Sequence, residues 1–384
     1  MLFVLYSDKG KPSATRGRKV SGLDDQTAGL PNVKPSKTFL LAFALLLTIA
    51  PASFAYRIAA WIPPWDGNAL TSVQMNGGAV NESNPVWYSW NADGSIAKNW
   101  NAEAASWRAA MTGSQLVPTI QNVVNKSFDG GAAATMLASA ASREAHANAV
   151  AQLAILNAFD GIDVDYERVP TASRANFTAF IATLAQKLHA ANKKLSVTVY
   201  AKTSDSANWN GPGAEEWPAL GSLADSVKIM AYDYSYSSSP AGPIAPLDWL
   251  DRVATYAQSA IPAEKIMIGL PFYGYDWVGS SGIGVTYSQA MQKAQSVGAT
   301  IAHDANGEAT YSYAGHTVYF QDAASYTRKV EMLEQKHPGI GGFAHWAVGQ
   351  EDPAIWTVIK GTTTAPATPA PTPKTSGRHR ATGR

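Results

Sequence analysis

The 384-residue chain contains no cysteine, which excludes a disulfide framework, a thiolate zinc site and a cysteine nucleophile. Charge is also scarce. Asp, Glu, Lys and Arg make up 15% of the residues and balance to a formal net charge of +1. Without a basic stripe there is no electrostatic footprint for nucleic acid. The seven histidines follow no HExxH or other ligand spacing, so neither a metal nor another cofactor is inferred. No phosphate-binding glycine fingerprint follows the first β-like run. GSSGIG, Gly279 to Gly284, has no strand–helix frame around it and reads as a flexible loop. The apolar run Thr38 to Ala50 is too short for a comfortable membrane span, and no integral membrane partner is expected.

The sequence is 46% hydrophobic, enough for one large domain or two ordinary ones. Twelve Trp and sixteen Tyr are many for this length. Their flat faces suit sugar rings on cleft walls, although core packing is their usual role. Residues 34–55, KPSKTFLLAFALLLTIAPASFA, have the form of a signal peptide. Lys34 and Lys37 precede the apolar run, and Ser53 and Ala55 supply the small residues at a cleavage site. A secreted or cell-wall-associated protein is the expectation. Residues 1–33 are polar, basic and aperiodic, and we read them as an over-called start, with translation beginning near Val33. N-terminal sequencing of precursor and secreted protein tests this; a mature chain retaining residues before Lys34 would exclude it. The last segment, residues 361–384, is Thr/Pro/Ala-rich with a basic end and reads as an extended tail without core-forming residues.

Between these ends, β-like runs alternate with helical segments. The strand-like runs are Tyr56 to Ile62, Asn84 to Trp90, Gln115 to Gln121, Phe159 to Glu167, Leu195 to Ala201, Val227 to Tyr232, Ile266 to Leu270 and Gly341 to Ala347. Helices are expected over the Ala-rich stretch Ala132 to Asn157, over Thr171 to Ala191 and over Trp249 to Ser259. Eight strands alternating with helices over about 300 residues predict an α/β fold, a TIM (β/α)8 barrel spanning residues 56–360. The seventh and eighth strands are far apart, which predicts a small α+β insertion at about residues 287–321.

The stretch that organises the rest is FDGIDVDYE. In a strand, side chains alternate between faces, so Asp163, Asp165 and Glu167 share one face and Ile162, Val164 and Tyr166 the other. Like charges so close cannot all stay ionised, and at least one pKa must rise. Such a row suits a site needing a carboxylic acid that is still protonated near neutral pH. Active sites of barrels lie at the C-terminal ends of the strands. This order makes Glu167, nearest the mouth, the proton donor, with Asp165 close enough to influence it and Asp163 behind. Asp160 is out of phase and is assigned to orienting the strand start. A structural acid cluster is the competing reading; a calcium loop does not fit, lacking the Gly and distal Glu.

DGIDVDYE resembles the DxxDxDxE signature of family 18 glycoside hydrolases. KIMAYDYSY resembles that family's sixth-strand motif, through Met230, Tyr232 and Asp233, and GGFAHWAVGQED its eighth-strand motif, through Trp346. GLPFYGYDW and SPAGPIAPLDW are similar to the bacterial branch that includes spore-cortex and other peptidoglycan-directed N-acetylglucosaminidases. The chain departs from the family in lacking its third-strand Ser-x-Gly-Gly motif, where QNVVNKSFDGG stands, and carries no LysM repeat ahead of the barrel region.

The resemblance implies retaining, substrate-assisted hydrolysis of a β-1,4-linked N-acetylglucosamine polymer. Glu167 would be acid and then base. Asp165 would hold the acetamido N–H, with Asp163 supporting it. Tyr232 would donate to the acetamido oxygen, Asp233 would assist, and Trp346 would form the floor beside Met230. Trp61, Trp90, Tyr273 and Trp277 lie near expected strand ends, as sugar subsites or as packing. A monomer acting on a polysaccharide is expected. The alternatives are a non-catalytic lectin on the same barrel and a wall-binding protein tethered through its tail.

Overall fold

Short β-branched runs separated by helical segments close into one parallel barrel in the computed structural model, which describes residues 56–99, 105–205 and 209–363. The proposed N-terminal extension, the signal segment and nearly all of the tail lie outside the described residues. The first seven barrel strands are β1 (Arg57–Ile62), β2 (Glu82–Trp90), β3 (Thr119–Gln121), β4 (Gly161–Asp165), β5 (Lys194–Tyr200), β6 (Ser226–Met230) and β7 (Ile266–Pro271). An insertion then contributes β8 (Tyr273–Val278), β9 (Ser281–Thr286), β10 (Ala302–His303), β11 (Ala309–Tyr313) and β12 (His316–Phe320), and β13 (Gly342–Trp346) is the eighth barrel strand. Each barrel strand pairs in parallel with the next, and β1 pairs with both β2 and β13, closing the ring.

The helices are α1 (Ala69–Asn76), α2 (Ala105–Ala110), α3 (Gly130–Leu137), α4 (Ala140–Leu156), α5 (Arg174–Ala190), α6 (Trp217–Leu223), α7 (Leu247–Ala260), α8 (Tyr287–Val297), α9 (Ala323–Lys336) and α10 (Ile355–Thr363). The Ala-rich stretch is two helices because Ser139 restarts it. The Ser139 hydroxyl accepts from the Ser142 backbone N–H, and the Ser142 hydroxyl accepts from the Ser139 N–H, which forms a capping box. Similarly, the expected third strand is broken in two around Pro118, into Gln115–Leu116 and Thr119–Gln121.

The outward faces of the strands carry the aliphatic core. Ile162, Val164, Val197, Val199, Val227, Ile229, Ile266 and Ile268 are fully buried together with Phe177, Phe180 and Leu184 of α5. Each such side chain contributes about 1.5–3 kcal/mol on burial. The inward face differs from the branched aliphatic layers usual in such barrels. Its buried residues include Glu82, Asn84, Thr119, Gln121, Asp163, Asp165, Ser196, Thr198 and Lys228. The outside of the barrel holds the fold together, and the inside is polar.

The insertion starts earlier than its sequence suggests. Its five-stranded antiparallel sheet runs in the order β9–β8–β12–β11–β10 and begins at Tyr273, two residues after β7 ends. The glycine-rich stretch read as a flexible loop is largely strand β9, paired with β8 from Thr286 to Ser281. Gly282 is there for space: a Cβ would lie 2.6 Å from Trp277 Nε1. A second, smaller core of Ala290, Ala294, Ala309, Tyr311, Val318 and Phe320 holds α8 to this sheet.

Candidate active site

The acidic row emerges from β4 at the end of the barrel where the strands finish. Asp163 is fully buried, and Asp165 and Glu167 are each 5% exposed. Register sets their neighbours. Thr119 and Gln121 of β3 lie opposite Asp163 and Asp165. The Gln121 side-chain amide donates to Asp165 Oδ2 at 2.7 Å, while Asp165 Oδ1 has no hydrogen-bond partner among the described residues. Glu167 lies beyond the strand's last residue. Its backbone N–H donates to Asn122 Oδ1 at 2.8 Å, and its carbonyl accepts from Asn122 Nδ2 at 2.8 Å. Its carboxyl Oε2 accepts from the Tyr200 hydroxyl at 2.6 Å.

The charge facing the base of the row is a lysine. Lys228 of β6 is fully buried and pairs with Glu82 Oε1 at 2.7 Å and Asp163 Oδ1 at 3.0 Å. Asp163 also accepts from Trp61 Nε1 at 3.0 Å, from Thr119 Oγ1 at 2.9 Å and from Thr198 Oγ1 at 3.2 Å. A buried charge with several donors and a counter-ion is tolerable where an isolated one is not.

Higher in the row the balance is different. Burial pushes Asp165 up to about 7, reinforced by Asp163 and opposed by the Gln121 hydrogen bond and by Lys228. Burial, and after it the Asp165 charge, raises Glu167 well above the usual carboxylate range against the pull of the Tyr200 hydroxyl. The expectation that a pKa in the row must rise is met at two positions. The arrangement offers a proton at neutral pH beside an unpartnered carboxyl oxygen.

Across the mouth, β6 continues into Tyr232 and Asp233, both half-buried. Asp233 adopts a left-handed backbone, φ 59°, a region in which aspartate is enriched among non-glycine residues. The insertion holds its side chain. Tyr273 and Tyr275, on one face of β8, both donate their hydroxyls to Asp233 Oδ1. Trp277, next on that face, donates Nε1 to the Tyr236 carbonyl at 3.0 Å. Buried Glu308 accepts the backbone N–H groups of Ile244 and Ala245 at 2.7 Å each and pairs with Lys329 at 3.1 Å. The insertion thus braces the loop that carries Tyr232 and Asp233. Burial raises Asp233 to about 6, opposed by the two tyrosine hydrogen bonds.

The structure brings together Asp163, Asp165, Glu167, Tyr232, Asp233, Tyr273, Trp61 and Trp346. Trp346 packs edge-on to Trp61, with ring centres 6.3 Å apart, and beside Tyr232. Met230 ends β6 in register with Tyr200. Asp160 accepts from the Leu116 N–H at 2.7 Å at the strand start.

Three of the aromatic residues take the packing alternative. Trp90 packs on His146 and Tyr166, on the helix side of the barrel wall. Register shifts between Val86 and Tyr88, so the alternation that would have turned Trp90 inward fails there. Trp277 is fully buried between the insertion sheet and the β6 loop. Trp61, 2% exposed, serves Asp163 as a donor and offers no open face. Among the described residues, the exposed aromatic side chains at strand ends are Trp65 after β1, Trp209 after β5 and Tyr234 after β6, at 55%, 42% and 51% exposure. Sequence reading also missed Lys228, Tyr200, Gln121 and Asn122. Lys228 could have been found, since a lysine inside the apolar run VKIM calls for a buried counter-charge.

Fold and site together define a glycosidase built on a (β/α)8 barrel. Residues 125–351 match the profile of the glycosyl hydrolases family 18, and the chain belongs to that family. A cortical fragment-lytic enzyme of Bacillus subtilis is 25% identical over 256 residues. That match covers 64% of this chain and 59% of the enzyme, so the chain spans under two thirds of that relative's length. Endochitinase 1 of Metarhizium robertsii is 30% identical over 227 residues, 49% of this chain and 51% of that protein. Among solved structures, a chitinase from Chromobacterium violaceum superposes with a TM-score of 0.75 at 26% identity, covering 81% of this chain and all of that one.

Proposed function

We propose that this glycosidase is a secreted, retaining hydrolase of β-1,4-linked N-acetylglucosamine polymers, chitin or the glycan strands of peptidoglycan. The observation that carries the proposal is the Asp165–Glu167 pair. Both groups are buried with raised pKa values, and Asp165 Oδ1 is unpartnered beside the acid. That geometry suits a substrate that provides its own nucleophile, since an amide N–H would satisfy the free oxygen.

In this reading Glu167 protonates the glycosidic oxygen as the C1–O bond breaks, and the 2-acetamido oxygen attacks C1 to give an oxazolinium ion. Asp165 accepts the acetamido N–H and stabilises the cation, with Asp163 behind it. Tyr232 donates to the acetamido oxygen while Asp233 assists, and Trp346 underlies the ring beside Met230. Water activated by Glu167 then opens the ring system. Trp65, Trp209 and Tyr234, exposed on the mouth loops, are the sugar platforms in place of Trp61, Trp90 and Trp277. The relatives' names, a cortical fragment-lytic enzyme and endochitinase 1, support both substrate classes. Secretion rests on residues 34–55.

The test is Glu167→Gln assayed on N-acetylglucosamine oligosaccharides and on purified peptidoglycan, with products read by mass spectrometry and binding by calorimetry. Turnover should fall by about 10²–10⁴-fold with binding retained. Hydrolysis near the wild-type rate would remove Glu167 from the role of acid.

A further inference from the structure

Glu167 is fixed in an uneven way. Asn122 clamps its backbone, but its carboxyl is held from a different strand, by the Tyr200 hydroxyl on Oε2 at 2.6 Å. We propose that Tyr200 is a positioning residue that makes Oε1 of Glu167 the proton-bearing oxygen and stabilises the carboxylate left when that proton departs. The inference rests on the reading of Glu167 as the acid.

Tyr200 is itself held on several sides. Its backbone N–H donates to both carboxyl oxygens of Glu215 at 3.1 Å. Its ring lies against Gly211, where a Cβ would sit 2.5 Å from Tyr200 Cε2 and where φ is +91°. Exposed Trp209 meets it edge-on, with ring centres 5.5 Å apart and planes at 73°. A tyrosine buried to 4% exposure and packed in this way keeps its hydroxyl in place at little entropic cost.

The chemical consequence follows from where the proton goes. It leaves Oε1 for the glycosidic oxygen as the C1–O bond breaks, and the acetamido oxygen supplies the electron pair at C1. Before transfer, the Tyr200 hydrogen bond is to a neutral carboxyl; after transfer it is to a carboxylate, and charge-assisted bonds of this kind are about twice as strong. The bond therefore strengthens along the reaction, the condition for raising turnover. Other groups act on the same carboxyl: Asp165 on β4, Arg168 on the same segment, Glu215 before α6, and Tyr232 after β6. Asp165 and Glu215 oppose ionisation, whereas Arg168 and Tyr200 favour it.

The test compares wild type and Tyr200→Phe on an N-acetylglucosamine oligosaccharide and on a nitrophenyl glycoside, whose leaving group needs little protonation. On the oligosaccharide, kcat should fall by about 10–100-fold, and on the nitrophenyl glycoside by less than about 3-fold. The alkaline limb of kcat/KM should move to higher pH, because the lost hydrogen bond favoured the charged form. Gly211→Ala, which displaces the ring but keeps the hydroxyl, should move the same limb. Equal losses on both substrates, or an unmoved limb, would overturn the assignment. Glu167→Gln is run alongside: if it stays active, the acid reading itself fails. If it is inactive while Tyr200→Phe behaves as wild type, only the role of Tyr200 fails.

Discussion

Asp165→Asn should make the protein more stable at neutral and alkaline pH while removing its activity. In the native state Asp165 sits near 7 because it is buried, against an ordinary 3.8. Between those two values the native protein holds a proton that the unfolded chain has released. Native stability therefore falls as pH rises through that window. At about 1.4 kcal/mol per pH unit, the loss reaches about 4 kcal/mol by pH 7 and then levels off. Asparagine has nothing to ionise, and its carbonyl oxygen can still accept from Gln121 Nε2, which now meets Oδ2 at 2.7 Å. Urea unfolding at pH 4 and pH 8 reads the difference. The two proteins should be within about 1 kcal/mol at pH 4, and the variant ahead by about 2–4 kcal/mol at pH 8. Glu167 and Glu215 also have raised values, to which the Asp165 charge contributes; both are relieved of that charge in the variant, which adds to its advantage at pH 8. A variant no more stable at pH 8, with an unchanged pH slope, would refute the claim that the native fold holds Asp165 against its preference to ionise.

Lys228→Met leaves Glu82 and Asp163 facing each other in the barrel without their cation, and should cost about 3–5 kcal/mol in urea unfolding. Adding Glu82→Gln should cost less in that background than in the wild type, a coupling that a double-mutant cycle measures. Glu308→Ala removes the acceptor for Ile244 and Ala245 and strands Lys329. It should lower stability by a similar amount and, by loosening the loop under Asp233, reduce kcat, which steady-state assays on oligosaccharides would read. Trp90→Phe should leave KM within about twofold, whereas Trp209→Ala should raise it about tenfold, since Trp90 is buried and Trp209 is exposed.

The acidic row was legible because a strand's period of two is a local property: D-x-D-x-E needs no neighbour to define its face. The barrel was legible for a related reason, since eight apolar runs alternating with helical segments admit few closed arrangements. What escaped sequence reading depends on register and on loops. Lys228, Gln121 and Tyr200 reach the row from other strands, and nothing within β4 says which of their residues lie opposite. Whether Trp90 faced the cleft or the helices turned on a single irregularity between Val86 and Tyr88, since one slip reverses every side chain beyond it. Trp277 lies near a strand end as expected, but an insertion sheet that begins at Tyr273 covers it. The glycines of β9 were read as flexibility when at Gly282 the requirement is room for an indole.

In the proposed mechanism the substrate, and not a second carboxylate, supplies the nucleophile. Nitrophenyl glycosides whose 2-acetamido group is replaced by mono-, di- and trifluoroacetamido probe this, because each fluorine makes the carbonyl oxygen a poorer nucleophile without altering the leaving group. The expected result is a kcat/KM that drops steeply and monotonically across the series. A flat response would contradict the account and return the nucleophile to the protein or to water.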